Sequence, residues 1–229
     1  MLPAKPAAPG PRSDPTNAAR VLLTGFEPFG GESVNPSWLA VHALHGRRIL
    51  GRKVVAARLP TVFDDSLRVL NDLLLRNRPE LVICVGQAGG RNAISLERIA
   101  INVNDARIPD NTGAQPIDTP VVSAGPAAFF STLPIKTMLQ NLQGAGIAAE
   151  VSQTAGTFVC NHVFYGLMHE LARQPALANT RGGFIHVPWL PEQGEPGMTL
   201  ELMTQALRLC VRLALDTPQD IAAGGGALH

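Results

Sequence analysis

Residues 147–187 read IAAEVSQTAGTFVCNHVFYGLMHELARQPALANTRGGFIHV, and the order of patterns within them decides the fold. Ile147–Ser152 is a short strand-like run. Gly156 and Thr157 break it and open a helical segment over Phe158–Ala172, and Gly183–Val187 is a second, continuous apolar run. Strand, helix, strand in that order is one βαβ unit, with strands covered on both faces. The same alternation recurs toward both termini. Val21–Thr24, Val54–Leu59 and Leu81–Gly86 read as further strands. Helices follow Asn35, an N-cap residue with Pro36 at the first helical position, and Thr61, which precedes Leu67, Leu70, Leu74 and Leu75 at helical spacing. Pro134–Leu142 and Thr199–Leu213 complete the set. The pattern predicts an α/β domain built on a mostly parallel, twisted sheet.

Between Gly90 and Val122 the period changes. Ile99, Ile101 and Val103 alternate strictly and DARIPDN (Asp105–Asn111) supplies turn residues, so a hairpin or arm attached to the sheet is expected here. Residues 1–19, rich in Pro and Ala, cannot bury enough apolar surface to offset their ordering entropy and are expected to be disordered. The domain then spans residues 20–218, and 219–229, ending AAGGGALH, is expected to be a flexible tail.

The 229 residues are 45% hydrophobic and 16% charged, with a net charge of +1, which suits one large core and offers no electrostatic footprint for nucleic acid or an anionic membrane. The three cysteines, Cys84, Cys160 and Cys210, are odd in number and widely spaced, which argues against a disulfide framework or a thiolate zinc site and for a reducing compartment. The opening residues lack the apolar stretch of roughly 7 to 15 residues that a signal peptide needs. A cytoplasmic location is therefore expected.

Cys160 falls in the first turn of its helix, where unpaired N–H groups and the helix dipole favour an anion and are expected to lower the thiol pKa. Cys84, in the middle of a strand, and Cys210, in the middle of a helix, read as core residues, and a buried core cysteine is the competing reading for Cys160 as well. A cysteine nucleophile needs a base. His186 lies near the end of the strand GGFIHVP, where Pro188 stops the sheet, at the edge where α/β sheets place ligands. His162 is the rival, but two residues along a helix turns its side chain away from Cys160; His42 and His45 read as surface residues. Glu97, in ISLERIAINVN, shares a two-residue period with Ile99, Ile101 and Val103 and is expected to face inward. There it needs a partner, either an imidazole or one of Arg91, Arg98 and Arg107. Of the two glycine-rich loops, Thr24–Gly31 (TGFEPFGG) lacks the Lys-Ser/Thr of a P-loop and Gly86–Arg91 (GQAGGR) lacks the dinucleotide spacing. The first instead presents Phe26 and Phe29, which could stack on a flat ring.

Seven motifs in order, TGFEPFGG, NPSW, ICVGQAGGR, LERIAIN, ARIPDN, AGTFVCNH and RGGFIHVP, resemble pyroglutamyl peptidase type I, the pyrrolidone carboxyl peptidase family of cysteine peptidases, from about Arg20 to about Leu215. The resemblance implies a single three-layer α/β/α sandwich, commonly a homotetramer, with no metal or organic cofactor. It implies removal of an N-terminal pyroglutamyl residue from peptides, with Cys160 as nucleophile, His186 as base and Glu97 as the third member of the triad. It places Phe26, Phe29, Phe158 and Val159 around the lactam ring, with Asn35, Gln87 and Ile108 nearby and Arg91 close to the triad. The competing functions are a phosphate-dependent nucleoside phosphorylase, with the GQAGGR loop around phosphate, and a binding module without turnover.

Overall fold

In the computed structural model, residues 20–226 are described; the segment 1–19, expected to be disordered, lies outside them. Nine strands and five α-helices follow one another as β1 (Arg20–Phe26), α1 (Pro36–His42), β2 (Arg48–Ile49), β3 (Arg52–Leu59), α2 (Phe63–Asn77), β4 (Leu81–Gln87), β5 (Ile94–Glu97), β6 (Ile99–Ile101), β7 (Ala128–Phe130), α3 (Ile135–Gly144), β8 (Ala149–Ser152), α4 (Val159–Arg173), β9 (Arg181–Val187) and α5 (Leu200–Asp216).

Seven strands form one sheet in the order β2-β3-β1-β4-β9-β5-β8. The central ladders β3–β1, β1–β4 and β4–β9 are parallel, as is β5–β8, whereas β2–β3 and β5–β9 are antiparallel. β1 and β4 are buried along almost their whole length, which is why they read as unbroken apolar runs rather than alternating ones. One core joins a sheet face to α1, α3 and α5 through residues such as Val41, Met138 and Leu207; the other joins the opposite face to α2 and α4 through Leu70, Phe164 and Phe184. Three layers result.

Two helix starts are made from afar. The first free amide of α2, on Phe63, donates to Asp110 Oδ2 at 3.0 Å, while Thr61 directs its Oγ1 to Glu27 O at 2.8 Å. The start of α3 is capped by Asp220: Lys136 N and Thr137 N each donate to its carboxylate at 2.9 Å. Residues 219–226, read from the sequence as part of a free tail, thus run across α3, and Arg98 Nη2 donates to Gly225 O at 3.2 Å.

The expected arm is present. Ile99–Ile101 pairs antiparallel with Ala128–Phe130 in a separate two-stranded ladder, and the connection between them folds back on itself about DARIPDN through the antiparallel bridge of Asn104 with Thr119 and the bonds from Ala106 N to Pro116 O and from Asp110 N to Ala114 O. β5 stops at Glu97 and joins the main sheet, so Glu97 and Ile99 do not share one strand face as the two-residue period implied.

Candidate active site

β1 is followed outward by β3 and the chain then crosses back to β4, so a crevice opens beyond the C-terminal ends of β1 and β4, where open α/β sheets bind ligands. His186, near the end of β9, is in register with Gly86 of β4 on one side and Ser95 of β5 on the other. Two residues beyond Ser95, Glu97 ends β5. Its Oε1 accepts the His186 Nδ1–H at 2.7 Å, which leaves Nε2 as the basic nitrogen. His186 is 4% exposed and Glu97 not at all.

The third group comes from the opposite layer. Cys160 is the second residue of α4, and its Sγ lies where Gly86 lacks a side chain: a Cβ on Gly86 would stand 2.8 Å from the sulfur. In a parallel ladder the partners Gly86 and His186 project to the same face, about 4.8 Å apart. The sulfur therefore sits one strand spacing from the His186 backbone, on the side from which the imidazole rises. The ring of Phe184, two residues earlier on β9, packs 4.8 Å from the His186 ring and walls the base. His162, the rival base, turns into the protein: it is 2% exposed and its Nδ1 meets Asn104 Oδ1 at 2.9 Å.

Burial would raise the Glu97 carboxyl, but the hydrogen bond and charge of His186, with Ser152 and Arg91 adding, hold it below its ordinary 4.5. The thiol behaves otherwise than the helix start alone suggests. Burial, reinforced by the Glu97 carboxylate, pushes Cys160 up to about 12; a helix terminus contributes at most about 2 kcal/mol, or roughly 1.5 pK units, and is outweighed. Cys84 and Cys210 are also pushed up to about 12 by burial, so acidity does not single out Cys160. Access does: of the three free cysteines only Cys160 is partly exposed.

Beside the sulfur lies a small pocket lined by Phe26, Phe29, Asn35, Thr61, Gln87, Phe158, Val159 and Cys160. Phe29 and Phe158 face each other across it with ring centres 6.0 Å apart, and Phe63 braces Phe158 edge-on. Asn35 caps α1 through Ser37 N and ties down Glu27 O through its Nδ2, so its side chain is committed to shaping the loop. Among the described residues, Gln87 Oε1 is buried without a hydrogen-bond partner. Thr61 went unread as a pocket residue, although its place just after β3, at the ligand edge of the sheet, was the available signal. Ile108 and Arg91 do not line this pocket. Ile108 is 42% exposed on the arm, and Arg91 is spent on Glu97, to which its Nη1 donates at 2.8 Å. A wider concavity of about 400 Å³ beside Arg98, Lys136 and Asp220 contains none of these groups.

A thiol at an uncapped helix start, an imidazole on the adjoining strand and a buried carboxylate orienting it define the class: a cysteine hydrolase on a three-layer α/β scaffold. Comparison with known proteins narrows this. Residues 19–217 match the family model described as pyroglutamyl peptidase. The chain is 58% identical over 214 residues to the pyrrolidone-carboxylate peptidase of Cupriavidus taiwanensis, covering 91% of this chain and 99% of that one. It is 57% identical over 216 residues to the Klebsiella pneumoniae enzyme of the same name, covering 92% and 100%. The crystal structure of pyroglutamyl peptidase I from Bacillus amyloliquefaciens superposes with a TM-score of 0.86 at 49% identity, covering 89% of this chain and 100% of that one. A mutant pyrrolidone carboxyl peptidase from Pyrococcus furiosus gives 0.83 at 42%, covering 86% and 99%. The chain belongs to the pyroglutamyl peptidase family. Among its described residues no helix is long and apolar enough to cross a membrane.

Proposed function

We propose that the chain hydrolyses the amide bond after an N-terminal pyroglutamyl residue of peptides, with Cys160 as nucleophile, His186 as base and Glu97 as the group that orients it. The observation that carries this reading is the 2.7 Å bond from His186 to Glu97 on the strand in register with the glycine that seats the Cys160 sulfur. His186 Nε2 takes the proton as the sulfur attacks the pyroglutamyl carbonyl, then delivers it to the departing amine, and water cleaves the thioester. The oxyanion is met by the Cys160 backbone N–H, which as the second amide of α4 has no acceptor within the helix, and no side chain caps that end.

The pocket suits a cyclised terminus. A lactam carries no ammonium to pair and presents a flat ring with one donor and one acceptor, which Phe29 and Phe158 can sandwich while the unpaired Gln87 Oε1 accepts its N–H. The cavity is only about 10 Å³, room for a single water, so the ring is admitted when Phe29 or Phe158 swings aside. The GQAGGR loop does not favour a phosphate site, because Arg91 is already paired with Glu97. The free cysteines support a reducing, cytoplasmic setting. The proposed self-association, as a homotetramer, would cover apolar side chains such as Ile117 and Phe130, exposed by 68% and 66%.

The test is hydrolysis of a fluorogenic pyroglutamyl amide by the wild-type chain, Cys160→Ser, Cys84→Ser and Cys210→Ser. Turnover lost only in Cys160→Ser supports the assignment. An inactive, fully reduced wild type, or an active Cys160→Ser, overturns it.

A further inference from the structure

Arg91 reaches the acid of the triad from the loop after β4, and it does so together with His186. Its Nη1 donates to Glu97 Oε1 at 2.8 Å, the same oxygen that accepts from His186 at 2.7 Å. Its Nη2 donates to Thr154 O at 3.2 Å, and Nη1 makes a longer 3.4 Å contact with Ser152 Oγ. Ser152 and Thr154 lie at the turn between β8 and α4, the turn that delivers Cys160. One guanidinium thus holds the acid and the approach to the nucleophile together, while its own side chain is 29% exposed and reaches solvent.

The charge matters as much as the tether. Glu97 is fully buried, and a carboxylate there acts on its neighbours through a medium of low dielectric. The titratable groups that face the Cys160–His186 pair are Glu97 from β5, Arg91 from the loop before it and Cys84 from β4. Glu150 from β8 is taken by Ser95 Oγ at 2.8 Å, and His162 of α4 is turned away toward Asn104. Arg91 is the one guanidinium of this set, and it alone opposes the effect of Glu97 on the sulfur.

We propose that Arg91 is a positioning residue: by sharing Glu97 with His186 and gripping the 152–154 turn, it sets the pH at which the Cys160–His186 pair becomes reactive. This rests on the catalytic reading above. Without the guanidinium, the full charge of Glu97 opposes ionisation of the sulfur, so the Cys160–His186 pair becomes reactive only in more alkaline solution.

The test compares the full-length wild type with Arg91→Met and Arg91→Lys in two profiles against pH. One is kcat/KM on a fluorogenic pyroglutamyl amide. The other is the rate of Cys160 alkylation by iodoacetamide, followed by mass and needing no turnover. The acid limb of both profiles is expected to move up by about one unit in Arg91→Met, a tenfold loss on that limb. In Arg91→Lys the limb stays near the wild-type position while kcat remains depressed, because one ammonium cannot span Glu97 and Thr154 at once. An Arg91→Met profile in the wild-type position overturns the proposal whatever the absolute rate. Should Arg91→Met fail to fold, a shifted Arg91→Lys profile does the same. A shifted alkylation profile in a chain that hydrolyses no pyroglutamyl amide would uphold Arg91 and sink the substrate assignment instead.

Discussion

Gly86→Ala is the most direct probe of how the nucleophile is seated. The added methyl would stand 2.8 Å from Cys160 Sγ and 2.8 Å from Phe184 Cζ. Ordinary contact begins at 3.4 Å, so the sulfur, the ring or both must retreat by about 0.6 Å; Phe184 is fully buried between Phe26 and Phe164, so the partly exposed sulfur is the group that yields, into the pocket beside it. Overpacking of this kind costs about 1–3 kcal/mol of stability. The larger effect is on rate, since the sulfur is displaced across the sheet surface relative to the imidazole in the register position, and a misplacement approaching 1 Å costs on the order of 10²-fold. We expect kcat/KM on a pyroglutamyl amide to fall by roughly 10- to 100-fold while the protein still unfolds cooperatively. The assay pairs steady-state kinetics with thermal unfolding, so that lost fold and lost alignment are separated. A folded Gly86→Ala protein retaining kcat/KM within about threefold would show that the sulfur does not rest against β4, and the argument that joins it to His186 would fail.

His162 gives a stability prediction. Burial lowers its pKa to about 4, partly opposed by Asp64; a histidine whose folded value is depressed favours the folded state only while neutral, so stability is lost as pH falls from 6.5 toward 4. Over that window the wild type should lose roughly 3 kcal/mol more than His162→Gln, which does not titrate; equal slopes in urea unfolding at stepped pH would refute this. Asp220→Ala uncaps α3 and should cost about 1–2 kcal/mol, seen as a melting point lower by about 2–8 °C with unchanged kcat. An unchanged melting point would mean that residues 219–226 do not hold α3.

Much of this was legible in the chain because the relevant physics is local. Strands buried on both faces advertise themselves as unbroken apolar runs, and Asn35 with Pro36 marks a helix start whatever the rest of the fold does. What was hidden depends on partners far away in sequence. Nothing near Phe63 announces that Asp110 will cap α2, nothing near Lys136 points to Asp220, and the antiparallel seat of β5 between β9 and β8 follows from packing rather than pattern. Glu97 is buried as expected but for another reason: the alternation with Ile99 and Ile101 crosses from one sheet to another at Arg98. The burial that opposes an acidic thiol at the helix start was hidden in the same way, because the sulfur packs against Gly86 of β4, which the local motif does not show. The triad was read from the motifs of a family, and geometry supplies what they lack, the shared register of Gly86 and His186.

The strand order carries a further meaning for how the molecule is made. β9 is the last strand to leave the ribosome, yet it lies between β4 and β5, with Leu81 paired to Arg181. Until it arrives, the sheet exists at most as two halves, β2-β3-β1-β4 and β5-β8, with no ladder between them. The strand that closes this seam is also the one that brings His186. On the proposed roles, a growing chain therefore carries its thiol and its carboxylate before it has the base, and the ability to cut peptides comes into being with the joining of the sheet rather than before it.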